Sequence, residues 1–86
     1  MRRYQSHKIV EAGKISRLDH RVEDQVWAVW LDIGDGKEDL LLVPDKVFAR
    51  GHPGTGDYLV RYAPDGYLSW SPAQAFEDGY TLLEEA

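Results

Sequence analysis

The run QVWAVWLDI at residues 25–33 constrains the fold more than any other part of the chain. β-branched and aromatic residues dominate it, so it reads as a strand. Trp27, Val29, Leu31 and Ile33 fall on one face, and Val26, Ala28 and Trp30 on the other. Both faces are apolar, so both need cover, and a second subunit is one candidate for it. Gly34-Asp35-Gly36 follows as a hairpin turn, and EDLLLV at 38–43 returns as the next strand.

The remaining segments are short and punctuated by glycine and proline. Residues 7–19 read as a first strand rather than a helix, because Gly13 and β-branched residues oppose helix formation. Val10 and Ala12 share one parity and Ile15 takes the other, so a bulge at Gly13 is expected to reset the face. Pro44 is placed at the first position of a short helix running to Arg50, with Asp45 at its positive end and Gly51 as its stop. DYLVRY at 57–62 and the strand from Tyr67 to Trp70 form a second hairpin around Ala63-Pro64-Asp65-Gly66. Ser71-Pro72-Ala73-Gln74 has the form of a capping box, and Gly79 of a left-handed helix stop. Residues 80–83 supply a last short strand. The expected fold is α+β: a small, curved, mostly antiparallel sheet or open barrel in the order βββ-α-ββ-α-β, with two short helices.

At 86 residues the chain is one domain. Such a domain buries roughly 60% of its unfolded surface, so its core is thin. Cysteine is absent, which removes disulfides and thiolate zinc sites and fits a reducing, cytoplasmic setting. Association is the remaining way to add buried area, so a homo-oligomer is expected. The basic N-terminus has no apolar run behind it, and no stretch is long enough to span a bilayer, so neither a signal peptide nor a membrane partner is expected.

Fifteen acidic residues face ten basic ones, for a net charge of −5. A nucleic-acid polymer is therefore not an expected partner. The charge is uneven: Arg2, Arg3, Lys8, Lys14, Arg17 and Arg21 crowd the first quarter, whereas Glu77, Asp78, Glu84 and Glu85 end the chain. This dipole can serve solubility or steer an anion toward the N-terminal half.

Catalytic constellations are missing. GHPGTG at 51–56 lacks the Lys-Ser/Thr ending of a phosphate loop and precedes a strand, so it is read as an ordinary loop. His52 lies near Asp57 in sequence, but the three histidines show no metal-ligand spacing. No cofactor and no enzymatic activity are expected. The aromatic set Tyr58, Tyr62, Tyr67, Trp70, Phe76 and Tyr80 is more suggestive. Small β domains fill their cores with such residues, but aromatic rings beside Arg61 can also stack a base.

Tyr4-Gln-Ser-His-Lys8, with Ile-Val-Glu-Ala after it, and Gly56-Asp-Tyr-Leu-Val-Arg-Tyr62 followed by Asp65-Gly-Tyr-Leu-Ser-Trp-Ser-Pro-Ala-Gln-Ala-Phe-Glu-Asp-Gly-Tyr80 together resemble short proteins of tailed phages and prophages. That group pairs an N-terminal YxSHK segment with a C-terminal GYxSWSPxxxFxxGY segment. The resemblance covers the two ends and leaves residues 14–55 aside. It implies expression in an infected bacterium and carries over no functional residue. A phage-type, non-enzymatic binding protein is the expected function. As a counter-defence factor it would sequester a nucleotide-derived immune signal, a small anionic ligand, or block a host defence protein. A virion or assembly accessory protein is the alternative. The candidate ligand residues are Tyr58, Arg61, Tyr62, Tyr67 and Trp70, with His7 and Lys8 as anion contacts.

Overall fold

In the computed structural model, residues 1–5, 9–49, 51–62 and 66–82 are described. Among these residues seven strands run β1 (Arg2–Gln5), β2 (Ile9–Arg21), β3 (Val26–Gly34), β4 (Lys37–Pro44), β5 (Tyr58–Tyr62), β6 (Tyr67–Ser71) and β7 (Thr81–Leu82). A single 3₁₀ turn, Asp45–Phe48, follows β4, and one helix, α1 (Ala73–Gly79), follows β6. All pairings are antiparallel, in an open sheet ordered β4-β3-β2-β1-β7, with β5 on the other edge of β2 and β6 beyond it.

The long strand β2 organises the sheet. Ala12 pairs with Arg2 on one edge and with Val60 on the other, and Lys14 pairs with Asp32 and Tyr58. Strands β1 and β3 therefore share one edge of β2, one after the other, while β5 holds the opposite edge.

Both faces carry a core. On the inner face Ile15, Val29, Leu31, Val43 and Leu59 pack with Phe48 of the 3₁₀ turn. On the outer face Val10, Ala12, Tyr58 and Val60 pack under Phe76 of α1. This explains the parity change along β2. Val10 and Ala12 point to the α1 core, and Ile15 points to the other core. The bulge expected at Gly13 lies instead between Ile15 and Arg17. Gly13 has a different use: a Cβ there would come within 2.9 Å of Leu31 Cβ, so the position accommodates a close side-chain approach.

Other expectations need correction. The polar N-terminal lead-in forms β1, because Arg2 through Gln5 pair along Ile9–Ala12. Pro44 ends β4 in an extended conformation and caps a single 3₁₀ turn rather than opening an α-helix. That turn inserts Phe48 into the core. Pro72 stands at the N-cap of α1 with its φ preset, and Ala73 is the first helical residue. The capping box does not form: Ser71 makes no cap hydrogen bond, and Gln74 donates to Asp78 one turn on. Gly79 is not left-handed. The chain leaves α1 directly through extended Tyr80, whose ring stacks on Phe76 at 4.6 Å. The Gly34-Asp35-Gly36 turn forms as expected, with φ between 55° and 93° at all three residues.

Candidate functional site

The hairpin of β5 and β6 divides the aromatic candidates between two faces. Cross-strand partners share a face. Arg61 pairs with Leu68 and Leu59 with Trp70, while Tyr62 pairs with Tyr67. Arg61 and Trp70 thus project to the inner face, and Tyr58, Tyr62 and Tyr67 to the outer.

Tyr58 is buried. Its ring stacks on Phe76 at 4.2 Å and meets Tyr4 edge-on, and its hydroxyl donates to Glu77 at 2.8 Å. Burial pushes its pKa far above the ordinary tyrosine value, and the Glu77 carboxylate adds to the rise. Burial also raises Tyr4, against the lowering influence of Arg2, and raises Tyr62, with Tyr80 beside it. These hydroxyls remain neutral donors at neutral pH.

Trp70 is half-buried, and its indole N–H is already engaged by Asp57. Arg61 is tied to Glu11, its cross-strand partner on β2, with Nη2 3.2 Å from Oε1. Both side chains are well exposed, so this ion pair contributes at most about 1 kcal/mol and leaves Arg61 able to exchange partners. Tyr67 is 65% exposed, the one exposed Trp, Tyr or Phe among the described residues. Its ring lies 6.3 Å from that of Tyr62. His7 and Lys8 lie outside the described residues.

Two grooves meet at the Gly66–Tyr67 end of this hairpin. The larger, about 650 Å³, runs between the edge of β6 away from β5 and the 3₁₀ turn, and is lined by Tyr67, Ser69, Trp70, Lys46 and Val47. The smaller, about 450 Å³, is lined by Tyr62, Arg61, Glu11, Arg3 and Ile9. Gly66 borders both. Because the larger groove follows a strand edge, it reaches side chains of both faces and so brings Tyr67 and Trp70 together. Its volume suits a small organic ligand.

Sequence reasoning missed Lys46, Arg3 and Glu11 at these grooves. Lys46 is a single lysine in a short segment, and the sequence holds no signal that sets it beside β6. The nearness of Arg3 and Glu11 to Arg61 depends on β2 pairing with β5, across some fifty residues, for which local pattern holds no signal. Among the described residues no three His, Asp or Glu side chains gather closely enough to hold a metal ion. No helix among them is long and apolar enough to cross a membrane.

Compared with family models, with curated proteins and with solved structures, the chain matches none.

Proposed function

We propose that this is a phage-type, non-enzymatic binding protein that acts in counter-defence by sequestering a nucleotide-derived immune signal in the grooves at the β5–β6 hairpin. The observation that carries the reading is the exposed ring of Tyr67, at the edge of a groove that also holds Trp70 and Lys46. A base stacked on such a ring gains roughly 1–3 kcal/mol. Lys46 on one side, and Arg61 and Arg3 on the other, are the cations for phosphate. Local positive charge matters here because the chain as a whole is acidic. The phage resemblance supplies the biological setting, and stoichiometric capture requires no nucleophile. A homo-oligomer would close the open sides of these grooves.

The test is to incubate the purified protein with nucleotide extract from infected, defence-competent cells, denature it by heat, and analyse the released small molecules by mass spectrometry. Near-stoichiometric release of one nucleotide species is expected. Release of none, or conversion of many equivalents per protein molecule, overturns the reading.

A second reading, that the protein blocks a host defence protein, draws on Leu40 and Leu42. These are 52% and 59% exposed on β4, which pairs with β3 alone among the described strands. Exposed leucines on a strand edge favour contact with another polypeptide.

A further inference from the structure

A third groove, of about 520 Å³, shares Lys46 and Ala49 with the groove along β6 and adds His20, Trp27, Asp45, Phe48 and His52. The His20 imidazole lies flat on the Trp27 indole, with centroids 4.1 Å apart and planes 3° from parallel. Phe48 meets the same indole edge-on at 5.5 Å. His20 Nε2 sits 2.9 Å from Asp45 Oδ1. The imidazole is therefore fixed by a stack and a hydrogen bond before any ligand arrives, which lowers the ordering cost of binding. Asp45 takes Nε2, so Nδ1 is the nitrogen the ring has left to offer.

The groove gathers more basic groups than acidic ones. Asp45 is its one carboxylate and is hydrogen-bonded to His20. Lys46 makes no ion pair with any described residue, and His52 lines the same space. The walls beyond these groups are apolar, from Trp27, Phe48 and Ala49. Such a groove offers a ring face beside one ammonium and two imidazoles.

We infer that this groove binds a small aromatic anion, a planar ring carrying a phosphate or carboxylate. The ring extends the Trp27–His20 stack on the outer face of the imidazole, and Lys46, His52 and His20 Nδ1 receive the oxyanion. Stacked aromatic pairs and charge-assisted hydrogen bonds each add to such binding. Lys46 borders both grooves, so the His20 and His52 signals and the His20→Phe and His52→Ala variants are what separate this inference from the nucleotide reading.

The test uses phenyl phosphate and benzoate, with inorganic phosphate and phenol as the anion-only and ring-only arms. Long-range ¹H–¹⁵N spectra of the histidine rings are followed in mildly acidic buffer, where imidazoles carry charge. Both aromatic anions are expected to shift the His20 and His52 ring signals in a saturable way, with phosphate and phenol each weaker by about tenfold. A preference between phenyl phosphate and benzoate identifies the anionic group. Lys46→Met and His52→Ala, at exposed positions, are expected to lower affinity by about fivefold each. His20→Phe keeps the stack on Trp27 but loses Nδ1, and is expected to weaken binding while leaving the thermal midpoint nearly unchanged. Absence of a His20 shift at millimolar ligand, equal affinity for the aromatic and ring-free anions, or unchanged affinity in all three variants overturns the inference.

Discussion

The carboxylate of Asp57 accepts the indole N–H of Trp70 at 3.1 Å, and the same group accepts the backbone N–H of Ala73 at 3.0 Å and of Gly54 at 2.9 Å. One side chain thus joins the glycine loop, β6 and the first turn of α1. It supplies the cap that Ser71 was expected to give, from sixteen residues away. Replacement by alanine leaves three donors without this acceptor. Asp57→Ala is expected to cost about 2–4 kcal/mol, and Asp57→Asn somewhat less, since one oxygen remains. Urea unfolding measures both. A loss below about 0.5 kcal/mol for Asp57→Ala would show that the hub contributes little.

The close approach of Gly13 to Leu31 gives a second prediction. A methyl group at residue 13 would meet Leu31 Cβ and Cδ1 at 2.9 Å, and the Cβ cannot swing away. Gly13→Ala is expected to destabilise by about 1–3 kcal/mol. Adding Leu31→Ala removes the Cγ and Cδ1 contacts and leaves the Cβ one, so part of the obstruction is relieved and the double variant should be more stable than the sum of the two single losses predicts. Strict additivity in thermal or urea unfolding would count against the contact.

Much of the fold was legible because it is local. The QVWAVWLDI strand, the Gly34–Gly36 turn and the β5–β6 hairpin follow from periodicity and turn residues within a short window. What was illegible is set by pairing between distant segments. The parity change at Ile15 looks like a local bulge until β2 is seen to serve two cores. The Ser71 capping box was locally sound, but Asp57 reaches the same helix end through the tertiary fold. At the candidate site, the aromatic cluster was visible as composition, whereas its division between two faces depends on the β5–β6 register. Glu11 beside Arg61, and His20 beside Asp45, are products of long-range packing.

The raised tyrosines give a pH dependence with a definite sign. A free tyrosine ionises near pH 10. Tyr58, Tyr4 and Tyr62 hold their protons more tightly when folded, chiefly through burial. The folded state therefore binds more protons than the unfolded state above about pH 10. Their contribution to stability is fully present below that value and falls as pH rises through the raised folded values. Tyr58→Phe keeps the stack on Phe76 but cannot ionise, so its stability should decline less steeply at alkaline pH than that of the parent. At neutral pH the variant should be weaker by about 1 kcal/mol, from the lost hydrogen bond to Glu77. Urea midpoints taken on both sides of pH 10 check both claims, and parallel declines in the two proteins would refute the linkage.

Tyr67 and Trp70 border one groove but differ in what else they do, and this separates binding from stability. Tyr67 is largely exposed, whereas Trp70 packs against the inner core, meets Phe48 edge-on at 6.4 Å and holds Asp57. Trp70→Ala should cost about 3 kcal/mol or more, so any loss of ligand in that variant is ambiguous. Tyr67→Ser should change stability by no more than about 0.5 kcal/mol, as for an ordinary surface substitution. If the proposed stacking is correct, it should still lose tenfold or more in affinity for the captured nucleotide, and Lys46→Met should lose a comparable amount. Isothermal titration with the species released from the wild-type protein provides the measurement. A Tyr67→Ser protein that remains folded and binds as tightly as wild type would remove Tyr67 from the site, and with it the observation on which the nucleotide reading depends.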